Sequence, residues 1–193
     1  MYDIPMSRAG DREREGPEAA SIRAAQADPT AFSPLYLQYR DRVYAYLRTR
    51  TSGPEDAADL TQQVFLQALD ALPRYRQRGA PFAAWLLRIA RNAAINHHKR
   101  QRQDVAWDLL PESLHPSTDD DPETQAIRHD NAAWLQAVLG RCDDTAREML
   151  ALHFAAGLTV AETAAVVGKS EAAVKKQLSR TVRALKEHYH DPR

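Results

Sequence analysis

Cysteine is almost absent: Cys142 stands alone in 193 residues. An internal disulfide framework is therefore excluded, and a reducing cytoplasm suits the chain. No run of about 20 apolar residues occurs, so neither a spanning helix nor membrane insertion is expected. The opening stretch MYDIPMSRAGDREREG lacks the apolar core of a secretory signal. Glycine is sparse, with seven residues, and aromatics make up only 7%. No Gly-rich phosphate loop, nucleophile elbow or carboxylate pair in a plausible cleft is present. His97, His98, His153, His188 and His190 raise the question of a metal. Adjacent histidines point to different sides of a helix, however, and no acid is spaced to complete a site. Catalysis, a metal and a cofactor are accordingly not expected. An excess of one charge is missing too, since 26 Lys and Arg balance 26 Asp and Glu. Alone, that balance argues against a nucleic-acid binder.

The distribution of charge along the chain argues the opposite. Between Arg74 and Gln103 stand eight Lys or Arg and no acid, whereas 104–127 holds seven acids and no Lys or Arg. A second basic cluster follows at Lys169, Lys175, Lys176, Arg180, Arg183 and Lys186. Two basic stripes flanking an acidic connector fit two DNA-facing surfaces; the alternative is a pair of solvated helix faces. The connector either screens those stripes or is a solvated tether.

Abundant Ala, Leu, Arg and Gln favour helix, and no strand pattern stands out. Residues 1–28 read as a flexible extension with one marginal helix. Asp28-Pro29-Thr30 signals a start, after which Phe32, Leu35, Tyr36, Tyr39, Val43, Tyr44 and Leu47 recur at helical spacing. A second helix runs from about Asp56 to Leu72, with Leu60, Val64 and Leu66/Leu69 expected inward. A third carries Phe82, Trp85, Leu86, Ile89, Ala90 and Ala93 on one side. Its other side shows Arg88, Arg91, Asn92, Lys99 and Arg102. Pro111, Pro116, Pro122 and Asp119-Asp120-Asp121 mark a linker. The fold expected is all-α: two small helical domains joined by a flexible acidic linker, at 29–103, 104–129 and 130–190.

The stretch from Thr159 to Arg180 has the form of a helix-turn-helix. Thr159 with Glu162 makes a capping box, Gly168 stops the helix, and Ser170 caps the next. Val174 and Leu178 face inward with Ala164 and Val167. Lys175, Lys176, Ser179 and Arg180 are left on the face that a recognition helix offers to the major groove. Two ordinary packed helices with a Gly turn are the plainer alternative.

Taken together, the two halves resemble the extracytoplasmic-function (ECF) sigma factors over about 29–189. The resemblance is carried by Asp59-Leu-Thr-Gln-Gln-Val-Phe-Leu66, Phe82-Ala-Ala-Trp-Leu-Leu-Arg-Ile-Ala-Arg-Asn92, Arg147-Glu-Met-Leu-Ala-Leu152, Gly157-Leu-Thr-Val-Ala-Glu-Thr-Ala164 and Ala173-Val-Lys-Lys-Gln-Leu-Ser-Arg180. It implies a sigma region 2 domain at 29–103 and a region 4 domain at 130–190. It also implies a subunit that binds core RNA polymerase, recognises −35 and −10 promoter elements and assists melting. Asp56, Asp59, Gln62, Gln63 and Phe65 are then expected to grip the clamp helices of the largest subunit, and region 4 the flap of the second largest. Tyr75, Arg76, Arg78, Arg88, Asn92, Lys99 and Arg100 are implied for the −10 element, where aromatic and Arg faces clasp flipped bases. Ser170, Lys175, Lys176, Ser179, Arg180 and Arg183 are implied for the −35 element. Trp85 lies on the apolar stripe, so core packing outweighs base contact. An anti-sigma factor is a further partner implied by the resemblance alone. Departures from the family pattern are Gln63 in place of an acid, Thr163 and Lys169 in place of aliphatics, and a −10 loop one residue longer. A one-component regulator is the rival reading, and it requires a ligand pocket or dimer helix within 29–103.

Overall fold

The computed structural model describes residues 17–76, 81–104 and 142–190, the side chains of 101–104 and 185–190 excepted. Arg78, the connector from 105 onward and the helix expected around 133–139 therefore lie outside the described residues. Among those described, every regular element is helical.

Asp28 caps the first junction, accepting the Thr30 N–H at 2.9 Å and the Thr30 hydroxyl at 2.7 Å. The 3-10 turn Pro29–Phe32 continues directly into α2, Ser33–Arg48. Gly53 then caps α3, Pro54–Ala71, with Pro54 at its first turn beside Glu55 and Asp56. That order suits a helix start, because proline needs no donor there and acids complement the dipole. A 3-10 turn, Leu72–Arg74, ends α3 before α4, Phe82–Asp104. Leu35, Val43, Leu47, Val64, Leu72, Leu86 and Leu87 are essentially inaccessible. Tyr39, Phe82, Tyr75 and Trp85 form an aromatic cluster beside them, with centroids 4.8–5.5 Å apart in the contacting pairs.

Part of the segment read as a flexible extension is α1, Pro17–Ala27, with Ile22 and Ala25 buried. Glu18 accepts a hydrogen bond from the Tyr39 hydroxyl. Burial first, and that carboxylate second, raise the Tyr39 pKa well above the usual phenol range. Only two of 11 positions in α1 are buried, so its apolar period is faint in the sequence.

In the second unit the Asp143 side chain accepts the Ala146 N–H at 2.7 Å and starts α5, Asp144–Leu150. A π-helical turn, Ala151–Ala155, follows. The capping box forms as expected: Glu162 N–H donates to Thr159 Oγ1 at 3.1 Å, and Thr159 N–H to Glu162 Oε2 at 2.8 Å. It opens α6, Val160–Val167, which Gly168 closes at φ +70°. Helix α7 covers Glu171–His190.

The two units share apolar packing. Ala151, Leu152, Ala156, Leu158 and Val166 join the hydrophobic cluster of α1–α4, while Met149, Leu150, Ala164, Val174 and Leu178 form a smaller one. Polar contacts frame the seam. Glu148 accepts from Tyr46 Oη at 2.7 Å, pairs with Arg50, and lies 3.6 Å from Arg91 Nε. Arg42 donates to the Ala156 carbonyl at 2.7 Å and the Gly157 carbonyl at 3.0 Å. Arg88 donates to the carbonyl of Ala165 on α6.

Replacing Glu148 with Ala strands two guanidiniums at this seam. Breaking one side of a buried pair costs about 3–5 kcal/mol, and the lower end applies because the Arg91 side chain is still 35% exposed. Spin labels at exposed Leu37 and Lys169, with Cys142 changed to Ser, should show a longer and broader distance distribution in Glu148→Ala. An unchanged distribution would mean that the apolar contacts alone hold the units together.

Candidate nucleic-acid interface

Helix α7 is held from beneath by Val174 and Leu178, at 0% and 6% exposure. Four-residue spacing puts both on one side, so Lys175, Lys176, Ser179 and Arg180 emerge on the other, all exposed. Arg183 continues that exposed side. Ser170 works locally as a cap, its Oγ accepting the Ala173 N–H at 3.3 Å. Thr163, unusual for a helix-turn-helix core, is fully buried, and its hydroxyl donates to the Thr159 carbonyl at 2.8 Å. The hydroxyl is thus satisfied within α6 and leaves no orphaned polar atom. Lys169 is exposed, outside the core.

On α4, Arg88, Asn92, Lys99 and Arg100 are exposed as expected. Arg88 nevertheless donates one N–H to Ala165, and Arg91 turns toward Glu148, so α6 and α5 meet part of this basic side. Arg76 is exposed and donates to the carbonyls of Pro73 and Tyr75 at 3.1 and 2.9 Å. Tyr75 differs from the expectation of an aromatic offered to a base: it is 7% exposed. Its ring meets Phe82 edge-on at 5.5 Å and Trp85 at 4.8 Å. Burial raises its pKa first and the Glu18 charge adds to this, so its hydroxyl stays protonated in ordinary buffers. Trp85 is half-buried against the same core, consistent with its place on the apolar stripe.

The third surface is the outward side of α3. Asp59, Gln62 and Gln63 are exposed there, while Asp56 is half-buried and accepts from Ser52 Oγ at 3.0 Å. Phe65 does not join them. It is 5% exposed and packs edge-on against Tyr36 at 4.8 Å and Phe32 at 6.2 Å. Leu66, expected inward, is 65% exposed instead. Helical periodicity explains the exchange. Residues 61, 64, 65 and 68 share the buried side, whereas 59, 62, 63 and 66 share the solvent side. The i, i+3, i+4, i+7 pattern through Asp59 could have identified Leu66.

The histidines have local surroundings. His97 Nε2 lies 3.9 Å from Asp56, and His153 Nδ1 lies 2.7 Å from the Leu158 carbonyl, to which it donates. No helix among the described residues is long and apolar enough to cross a membrane.

These surfaces fall within segments that match known families. Residues 35–103 match the family described as Sigma-70 region 2, and residues 133–185 the one described as Sigma-70, region 4. The chain is 38% identical over 166 residues to the ECF RNA polymerase sigma factor BldN of Streptomyces coelicolor, which covers 84% of this chain and 62% of BldN. It is 34% identical over 176 residues to the ECF RNA polymerase sigma factor SigD of Mycobacterium tuberculosis, covering 88% of this chain and 82% of SigD. This chain thus spans less than two thirds of BldN but most of SigD. In fold it is similar to CnrH, solved in complex with the cytosolic domain of CnrY, at a TM-score of 0.66 and 23% identity over 90% of this chain and 97% of that one. With both regions matched in order and SigD covered over most of its length, the chain belongs to the ECF RNA polymerase sigma factor family and serves promoter recognition and transcription initiation through RNA polymerase.

Proposed function

We propose that the first unit, within 29–103, binds core polymerase and the −10 element, and that the second, within 130–190, reads the −35 element. The protein acts in this reading as a non-catalytic cytoplasmic subunit, with an anti-sigma factor as the regulatory partner that the family implies. The observation that carries the reading is the exposed set Lys175, Lys176, Ser179 and Arg180 on a helix whose other side is anchored by Val174 and Leu178. Cations and a hydroxyl on one rigid face suit base edges and phosphates of a major groove. Asn92 supports the −10 assignment, being an exposed carboxamide between Arg88 and Lys99. For the polymerase contact, Leu66 takes the apolar role that Phe65 was expected to fill. A leucine 65% exposed amid Asp59, Gln62 and Gln63 is an apolar anchor with a polar rim. Arg88 is exposed, so part of its guanidinium can meet DNA while one N–H is held by the Ala165 carbonyl.

Replacing Lys175 or Arg180 with Ala should cost about 1–3 kcal/mol where the residue reads a base, and should relax preference at the −35 element. Asn92→Ala should spare binding to −35 duplex and slow open-complex formation. A gel shift on −35 duplex, beside a fluorescent base analogue in the −10 region, separates these effects. Loss of duplex binding in Asn92→Ala, with Lys175→Ala losing only opening, would reverse the assignment.

Leu66→Asp places a charge on the proposed apolar anchor. It should weaken assembly with core polymerase by tenfold or more, since central apolar anchors carry about 2 kcal/mol or more. The isolated chain should keep its thermal stability, as the side chain faces solvent. Native assembly equal to the parent's would remove Leu66 from the polymerase surface.

A further inference from the structure

The base of the proposed −10 loop is held by a residue outside both matched regions. Helix α1 precedes the region 2 match, which begins at 35. Near its C-terminus, half-buried Gln26 reaches across to the chain leaving α3. Its Nε2 donates to the Leu72 carbonyl and to the Tyr75 carbonyl, both at 2.9 Å. One carboxamide nitrogen has two hydrogens, and both are used. The two acceptors sit at opposite ends of the short turn, for Leu72 opens it and Tyr75 follows it in extended backbone.

Carbonyls at a helix end lack intrahelical partners and leave the direction of the departing chain weakly determined. Here that direction is held from two sides. The Tyr75 ring is locked between Phe82 and Trp85, and its carbonyl is tied to Gln26. Leu72 also accepts the Tyr75 N–H at 3.0 Å, closing the turn on itself. The bracing helix is in turn fixed by Ile22, Ala25 and the Glu18–Tyr39 hydrogen bond. Arg76, the next residue, is exposed and shares the Tyr75 carbonyl with Gln26.

We propose that Gln26 is a positioning residue for promoter opening: from α1, it aims Tyr75 and Arg76, at the start of the proposed −10 loop, toward the −10 strand. The proposal rests on assigning that loop and Asn92 to the −10 element. It makes α1 part of the promoter-reading apparatus, acting through main-chain carbonyls without touching DNA.

Gln26→Met keeps length and apolar bulk but removes both donors. In holoenzyme, this variant should form open complexes about tenfold more slowly, the fold-change that one or two net hydrogen bonds carry. Discrimination against substitutions in the −10 element should fall with it. Polymerase assembly and −35 duplex binding should match the parent. Gln26→Lys, whose ammonium offers donors to the same carbonyls, should restore most of the opening rate. Asn92→Ala is measured alongside. Normal opening by Gln26→Met while Asn92→Ala is impaired would overturn the brace alone. Normal opening by both would overturn the −10 assignment and the brace with it. Equal losses in assembly, −35 binding and opening would reduce Gln26 to a merely structural residue and overturn the proposal as well.

Discussion

A carboxylate leaves water only where donors replace the solvent it loses. Glu148 is 9% exposed, and the replacement comes from groups distant in the chain: Tyr46 on α2 and Arg50 just beyond it donate to the carboxylate, and the Arg91 charge on α4 lies 3.6 Å away. Each depends on its neighbours. Tyr46 is fully buried, and burial first, with the Glu148 charge second, keeps its hydroxyl protonated as the donor. Arg50 also lies over the Tyr46 ring, 5.9 Å from its centroid. These contacts tie α5 to α2 and α4, and α6 and α7 follow α5 in the chain. The place of α7 relative to α4 is therefore tied in part to where one negative charge is accommodated.

Much of this arrangement is legible in the sequence, where residue type and period agree. The capping box at Thr159 and Glu162, the stop at Gly168 and the inward pair Val174 and Leu178 follow from rules acting over four residues. So does the exposure of Lys175 and Arg180 on the opposite side. The helix starts at Asp28 and Pro54 are similarly local. Phe65 and Leu66 are easily exchanged because both are large and apolar and differ by one residue of rotation; only the wider period through Asp59 separates them. Tyr75 escapes a sequence reading for a different reason. Its burial depends on Phe82 and Trp85 across the loop, which no local pattern reveals. The pairing of Tyr46 with Glu148 is invisible as well, because it has no signature in either segment.

Charge organises the molecule at a coarser level. The exposed side of α3 is acidic and amide-rich around one leucine, whereas the exposed sides of α4 and α7 are basic. In the proposed reading those surfaces serve different partners, one a protein helix and the others polyanions. Their separation onto different helices lets a balanced net charge coexist with strong local fields. The seam draws on the same supply of cations, for Arg42, Arg50, Arg88 and Arg91 all serve it.

Arg42 and Arg88 take hold of the second unit by the main chain, at the carbonyls of Ala156, Gly157 and Ala165. Every amino acid supplies a carbonyl, so these bonds by themselves specify no side chain at 156 or 165, although Ala156 is fixed by its burial in the core. Position 157 is restricted as well, since its φ of +64° favours glycine. None of these bonds involves the outward side chains of α7. Substitutions at 175, 176, 179 and 180, the positions proposed to read the −35 element, therefore leave these main-chain bonds of the closed arrangement untouched.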